Sequence, residues 1–191
     1  MLKSNFQQNL IEAGCDEVGR GCIAGPVIAA AVILKKNYKN HKIIDSKKLT
    51  AKMRKHLEKE IKNDALDWAV ASINNVKIDK HNILNASILA MHKALDKLKL
   101  RPEFIVVDGN KFNPYRRTEH ECIINGDNKF LSIAAASILA KNYRDRYMIK
   151  LSNIYSEYSW ETNFGYPTRA HREAIKIYGI TKYHRKSFKL L

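Results

Sequence analysis

Two carboxylates stand side by side at Asp16-Glu17, and Val18-Gly19-Arg20-Gly21 follows at once. Two more occur in Val107-Asp108-Gly109 and Gly126-Asp127. Carboxylates collected without histidine or cysteine form a hard oxygen donor set, which suits Mg²⁺ or Mn²⁺ and suits Zn²⁺ poorly. Two such ions about 3.5 to 4 Å apart can hold a phosphodiester, activate a water and stabilise the leaving oxygen. Clustered carboxylates repel one another, so such a group has a direct motive to bind a cation. Asp16 precedes an apolar run and Asp108 ends one, which puts both charges near the core, where they need partners. Adjacent strand residues face opposite sides, so Asp16 and Glu17 share a site if the backbone leaves the strand there, as Gly19 and Gly21 permit. Asp127 has two readings, metal ligand or N-cap of the Ala-rich helix that follows. Asp145, between Arg144 and Arg146, is read as locally ion-paired. Asp45 is read as scaffolding of a turn or phosphate site.

These residues need elements to hold them. Residues 23–34 are a short apolar run after a glycine-rich turn, which predicts a strand buried on both faces, with residues 12–16 as its neighbour. Thr50 caps a helix to about Asn63, with Lys52, Arg54, Lys55 and Lys59 placed around Met53, Leu57 and Ile61. Residues 66–73 read as a strand. Ile83, Leu84, Ile88, Met91, Leu95 and Leu98 recur at helical spacing and predict one helix over about 79–100, stopped by Pro102. Residues 104–107 form a strand whose carboxyl end delivers Asp108. Residues 121–124 add a short strand, 129 to about 155 a long helix, and Thr168 opens a helix ending near Gly179. The pattern is an α/β class with a mixed sheet flanked by helices. One domain over residues 1–191 is expected, with a small helical C-terminal region from about residue 152.

The chain has 191 residues, with 34 Lys and Arg against 19 Asp and Glu, a net charge of +15. Such a balance fits a polyanionic partner, nucleic acid first, although a basic surface also serves solubility. Cys15, Cys22 and Cys122 make no Cys-x-x-Cys pair, which argues against a disulfide framework or a standard zinc site. Residues 1–12 lack the apolar stretch of a signal peptide, and the longest apolar runs are too short to span a bilayer. A cytoplasmic, monomeric protein without a membrane partner is expected.

Taken in order, Asp16-Glu17-Val18-Gly19-Arg20-Gly21, Gly25-Pro26, Asp45-Ser46-Lys47-Lys48-Leu49, Val107-Asp108-Gly109, Gly126-Asp127, Ser132 through Lys141, Arg144-Asp145-Arg146 and Gly165-Tyr166-Pro167-Thr168 resemble the type 2 ribonucleases H, over nearly the whole chain. The resemblance implies a ribonuclease H-like fold and two-metal hydrolysis of RNA in RNA/DNA hybrids. It also implies cutting 5′ of single ribonucleotides in duplex DNA, leaving 3′-hydroxyl and 5′-phosphate ends. It implies that Asp16, Glu17, Asp108 and Asp127 are the metal ligands and catalytic carboxylates. It implies that Gly19, Arg20 and Gly21 meet the ribose 2′-hydroxyl through their backbone, and that Tyr166 packs against the sugar. Glycine suits that task because it lets the backbone come close to a small hydroxyl. Lys47, Lys48 and Lys141 are candidates to neutralise phosphates. His171 and His184 are family-like but receive no proton-transfer role, because bound metal already activates water. Asn142-Tyr143 departs from the Val-Thr that many relatives carry. The ending soon after Phe188 leaves little room for a clamp-binding tail.

Three rivals make different demands. A dinucleotide-binding oxidoreductase needs a third glycine that Gly19-x-Gly21 lacks, and no triphosphate-binding loop occurs. A non-catalytic nucleic-acid module explains the charge but leaves the carboxylates idle. DNA strand transfer or junction resolution keeps the metals and drops the need for ribose.

Overall fold

The computed structural model describes residues 2–191, so Met1, the first residue of the polar amino-terminal stretch, lies outside it. Five strands, β1 (Glu12–Val18), β2 (Val27–Ile33), β3 (Asp67–Ile73), β4 (Phe104–Asp108) and β5 (Glu119–Ile123), form one sheet in the order β3-β2-β1-β4-β5. β1, β2 and β3 pair antiparallel, whereas β4 pairs parallel to both β1 and β5. The mixed sheet is flanked by α1 (Ala51–Asp64), α2 (Asn75–His81), α3 (Ile83–Asp96) and α4 (Leu131–Ser152), and α5 (Trp160–Asn163) and α6 (Arg169–Tyr178) follow.

Period-two alternation explains the two layers. Val27, Ala29, Ala31 and Ile33 of β2 join Ala86, Ala90, Met91 and Ala94 of α3 in one cluster. Ile28, Ala30 and Val32 join Leu57 and Ile61 of α1 and the alanines of α4 in the other. A strand buried on both faces needs no polar alternation, which is why β2 reads as a continuous apolar run. Ala134, Ala135, Ala136 and Ala140 let α4 lie close to the sheet, and all four are fully buried. The closest approach is at Gly14 of β1, where a Cβ would overlap the backbone of Ser132 and Ile133.

Four expectations change. β2 starts at Val27, not Ile23. Residues 23–26 are instead a turn whose amides bond elsewhere, Ile23 N donating to the Gly165 carbonyl (2.9 Å) and Gly25 N to that of Tyr183 (2.9 Å). The helix expected over 79–100 is two, α2 and α3, broken at Asn82, whose φ of 63° ends one helix while its side chain caps the next by accepting from Asn85 N. The periodicity persisted across the break because Ile78 and the α3 residues face one cluster. On α1, Met53 is exposed and Arg54 is buried, the reverse of its apolar-stripe reading. Arg54 is drawn inward by Asp145 Oδ2, 3.0 Å from its Nη2. Finally, β1 continues as paired strand through Val18, so the chain does not leave the sheet between Asp16 and Glu17.

The C-terminal segment builds a third cluster from Tyr158, Trp160, Ala174 and Ile175 against Met148 and Leu151 of α4 and Ile23-Ala24 of the turn. Because the contact at Gly14 involves α4 backbone that cannot step aside, Gly14→Ala is expected to destabilise the protein by about 1 to 3 kcal/mol, read as a lower urea midpoint with an unchanged slope.

Candidate active site

Asp16 and Asp108 come together through strand register. Cys15 of β1 faces Val107 of β4, the last paired position, so the two aspartates lie next in line at the carboxyl ends of parallel neighbours. Both belong to the α4 face, since Gly14 meets α4 and Val106 packs with Ile133. Asp16 is 5% exposed, and its Oδ1 accepts from Glu17 N at 2.7 Å. Asp108 Oδ1 accepts from Gly126 N at 2.7 Å, which draws the 3-10 turn Gly126–Asn128 and its Asp127 up to the sheet end. Asp127, 3% exposed, is not the cap of α4. The cap position belongs to Phe130, which makes no side-chain bond there, so the capping reading is set aside.

A cavity of about 260 Å³ is lined by Asp16, Glu17, Val18, Ser46, Lys47, Asp108, Ser137, Lys141 and Tyr166. Glu17 reaches it from the end of β1 and pairs with Arg20 Nη1 at 3.4 Å. Asp127 lies at its edge, with Oδ2 3.9 Å from Lys47 Nζ. Larger hollows, of about 640, 670 and 350 Å³, lie near Phe6, Tyr115 and Ile43, but no group of carboxylates converges in any of them. Donor chemistry, not volume, picks out the smaller one.

Burial, then the charges of Glu17 and Asp108, raises the Asp16 carboxyl well above its usual range. Burial raises Glu17 as well, with Asp108 adding to the rise and Arg20 opposing it. Asp127 is raised by burial, then by Asp108 and Asp45, against Lys47. Concentrated negative charge that resists ionisation is the electrostatic signature of a cation site, and the all-oxygen donor set fits a hard divalent ion. Among the described residues no three acidic, histidine or cysteine side chains already stand close enough to hold a metal, so the carboxylates would have to close around one.

The remaining predicted residues are placed as follows. The side chain of Lys47 is 81% exposed at the cavity rim, and Lys48 Nζ lies 3.4 Å from Asn128 Oδ1. Lys141 lines the cavity but is already paired, its Nζ donating to Asp145 Oδ1 at 2.7 Å. Asp145 is therefore ion-paired as expected, though with Lys141 and Arg54 and not with its chain neighbours. Asp45 accepts from Lys47 N at 2.9 Å and scaffolds the turn, as read. Gly19 has a φ of +95°, and a Cβ there would overlap the Arg144 side chain. A Cβ on Gly21 would find Tyr166 Cε1 3.9 Å away, so turn and tyrosine are neighbours. Tyr166 is 38% exposed. Sequence reasoning passed over Ser46 and Ser137, whose hydroxyls lie 3.0 Å apart. Ser137, a hydroxyl inside an otherwise apolar run, was an available signal, whereas Ser46 among charged residues gave none.

Behind Tyr166 lies a neutral histidine relay. His171 Nδ1 donates to the Tyr166 carbonyl at 2.9 Å, leaving Nε2 to accept from Trp160 Nε1 (3.0 Å) and from His184 Nε2 (3.2 Å). His184 Nδ1 in turn accepts from Thr181 N at 2.9 Å. Each ring nitrogen is thus assigned by its partner, and neither ring has room for a second proton.

The family model for ribonuclease HII matches residues 13–191. The ribonuclease HII of Christiangramia forsetii is 56% identical over 186 residues, 97% of this chain and 94% of that one. The crystal structure of ribonuclease H2 from Pyrococcus horikoshii superposes with a TM-score of 0.80 at 26% identity, covering 94% of both chains. Bst-RNase HIII in complex with Mn²⁺ shares the fold, with a TM-score of 0.76 at 20% identity over 94% of this chain and 67% of that one.

The buried histidine pair is expected to contribute stability that is lost in acid. Burial, then the neighbouring His171, lowers His184 to about 4. An unfolded chain takes up a proton near pH 6.5 that the native ring refuses, so this contribution is complete above about pH 6.5 and is lost as pH falls towards 4. The loss is on the order of 3 kcal/mol. The buried carboxylates change stability in the opposite direction, so the comparison is with His184→Gln. Between pH 7 and 4.5 the urea midpoint is expected to fall further in the parent protein than in that variant.

Proposed function

The chain belongs to the ribonuclease HII family of metal-dependent endoribonucleases, and from that premise we propose that it cuts duplex DNA on the 5′ side of single embedded ribonucleotides as well as the RNA strand of RNA/DNA hybrids. The observation that carries this reading is one cavity shared by Asp16, Glu17, Asp108, Lys47 and Tyr166, with Asp127 at its edge. Asp16, Glu17, Asp108 and Asp127 would hold two Mg²⁺ or Mn²⁺ ions. When bound, these supply an activated water and charge stabilisation at the leaving oxygen. The water oxygen attacks phosphorus and the bond to the 3′-oxygen breaks, which yields a 5′-phosphate and a 3′-hydroxyl.

The chain's own residues do the sorting. The backbone of Gly19-Arg20-Gly21 meets the 2′-hydroxyl, with exposed Gly21 carrying no side chain between its amide and the ligand. Tyr166 offers a half-exposed ring beside it for the sugar to rest on. The exposed Lys47 and Lys48 meet phosphates, whereas Lys141, its charge matched by Asp145, contributes less there and braces the cavity wall. The net charge of +15 supplies attraction that does not depend on sequence.

The test is a labelled DNA duplex with one ribonucleotide, beside an all-DNA control, with Mg²⁺ or Mn²⁺ and with chelator. Metal-dependent cutting 5′ of the ribonucleotide alone is the expected result, and equal cutting of the control would point to a general DNA nuclease. Asp108→Asn is expected to lower kcat by about 100-fold or more with duplex affinity retained. Asp16→Asn should do the same while raising the metal-free melting temperature, because it removes a buried charge held against Glu17 and Asp108. Tyr166→Ala should slow cutting at a lone ribonucleotide, and an unchanged rate there removes the ring from the site.

A further inference from the structure

Two arginines, Arg144 on α4 and Arg185 in the C-terminal segment, are fully buried, and the acceptors the structure gives them are all backbone carbonyls. Burying a cation against neutral dipoles is costly beside an apolar side chain of like volume. The pair is therefore expected where the guanidinium fork itself is needed. Its arms converge on one short stretch. Arg144 donates from Nε to the Pro26 carbonyl (3.1 Å), from Nη2 to Ala24 (3.1 Å) and from Nη1 to Phe164 (2.7 Å). Arg185 donates from Nε to the Gly25 carbonyl (3.0 Å) and from Nη1 to Arg20 (3.1 Å), while its own amide bonds Ile23 O at 2.8 Å. Arg185 Nη2 has no partner among the described residues, so the group is fixed by the arms that reach the turn.

The bond to the Arg20 carbonyl has a directional consequence. No peptide bond among the described residues is cis, and in a trans peptide the carbonyl and the next amide point opposite ways. With Arg20 O drawn inward to Arg185, the N–H of Gly21 must face outward. Gly21 is exposed, Tyr166 is its neighbour, and its amide has no acceptor among the described residues. An open, oriented donor beside a half-exposed ring is what a hydroxyl on a sugar would require.

We propose that Arg185 is the positioning residue for ribose preference, fixing the Arg20-Gly21 peptide so that the Gly21 N–H is presented to the 2′-hydroxyl, while Arg144 ties the same turn to the Tyr166 loop through Phe164. This rests on the reading that the turn at 19–21 recognises the 2′-hydroxyl. Arg185 touches no substrate and acts only through the peptide plane it holds. Phosphate attraction by the exposed lysines is untouched by it.

The experiment measures a ratio on the full chain with Mg²⁺: the Ki of an unlabelled all-DNA duplex as competitor, divided by the KM of the same duplex carrying one ribonucleotide. Partial unfolding lowers the amount of active enzyme and leaves this ratio alone. Arg185→Lys keeps the charge and loses the fork, and is expected to lower the ratio about tenfold with Ki for plain DNA unchanged. Arg185→Gln should do likewise. Asn75→Ala is the control, because Asn75 Nδ2 holds the Lys182 and His184 carbonyls and so anchors the same segment without touching the turn. Its ratio should stay at the parental value even as its melting temperature falls. An unchanged ratio in both Arg185 variants, or an equal drop in Asn75→Ala, overturns the inference and leaves the ribose reading standing. A ratio of one in the parent protein defeats the ribose reading itself.

Discussion

The register of β1 against β4 decides how near two negative charges come. Asp16 and Asp108 stand one residue past the last paired position of parallel strands, so a slip of one residue would move either to the other face. Nothing about a carboxylate pair favours this placement, and burial raises the cost of ionising Asp16. The register is held by apolar contacts elsewhere: β2 packed on both faces, α4 pressed against Gly14, and the two side-chain clusters that alternate across β1 and β2. Hydrophobic packing thus offsets the repulsion, and the site inherits a charge density it could not hold by itself. Asp108 extends the arrangement by accepting from Gly126 N, which places Asp127 beside the sheet end although it lies in no strand.

The basic side chains divide by partner. Arg146 donates to Glu58 and Arg54 to Asp145, and these two pairs brace α1 against α4, while Lys62 and Lys141 pair with the same carboxylates from within their own helices. Arg144 and Arg185 are committed to carbonyls of the 20–26 turn, with one arm of Arg144 reaching Phe164. Lys47, at the cavity rim, stays exposed, with its Nζ 3.9 Å from Asp127 Oδ2. Charge that sequence counts as one total of +15 therefore serves as helix brace, turn support and outward field, and only the last can draw in a polyanion.

The mixed sheet was legible from hydrophobic periodicity and strand-like runs, and the three strand-borne carboxylates from their places beside those runs. What periodicity could not carry was any feature set by a contact distant in sequence. Residues 23–26 read as strand because they are apolar, yet their amides bond Gly165 and Tyr183. Arg54 read as solvated because its partner, Asp145, lies on another helix. Asp127 kept two readings open because a residue before a helix is as apt to cap it as to bind an ion, and the cap reading falls only because the chain makes one more turn and leaves Phe130 at the N-cap. Asn82 is the exception, a local signal that was present, since asparagine is among the residues that tolerate positive φ and also cap helices.

A site dense with charge requires neighbours that do not change theirs. The support behind Tyr166 meets that need with uncharged parts: His171 and His184 are held neutral by burial, and each nitrogen is committed to a donor or acceptor that admits one tautomer. A protonated imidazole there would add a cation that Arg172 already opposes at His171, and would set Trp160 Nε1–H against a second donor. Neutral histidines can therefore be buried under the turn at the cost of hydrogen bonds alone, while Arg144 and Arg185 are retained for geometry that no neutral side chain reproduces. The carboxylates and the 20–26 turn are thus held on different terms, one set of groups strained by its own charge, the other held still by dipoles.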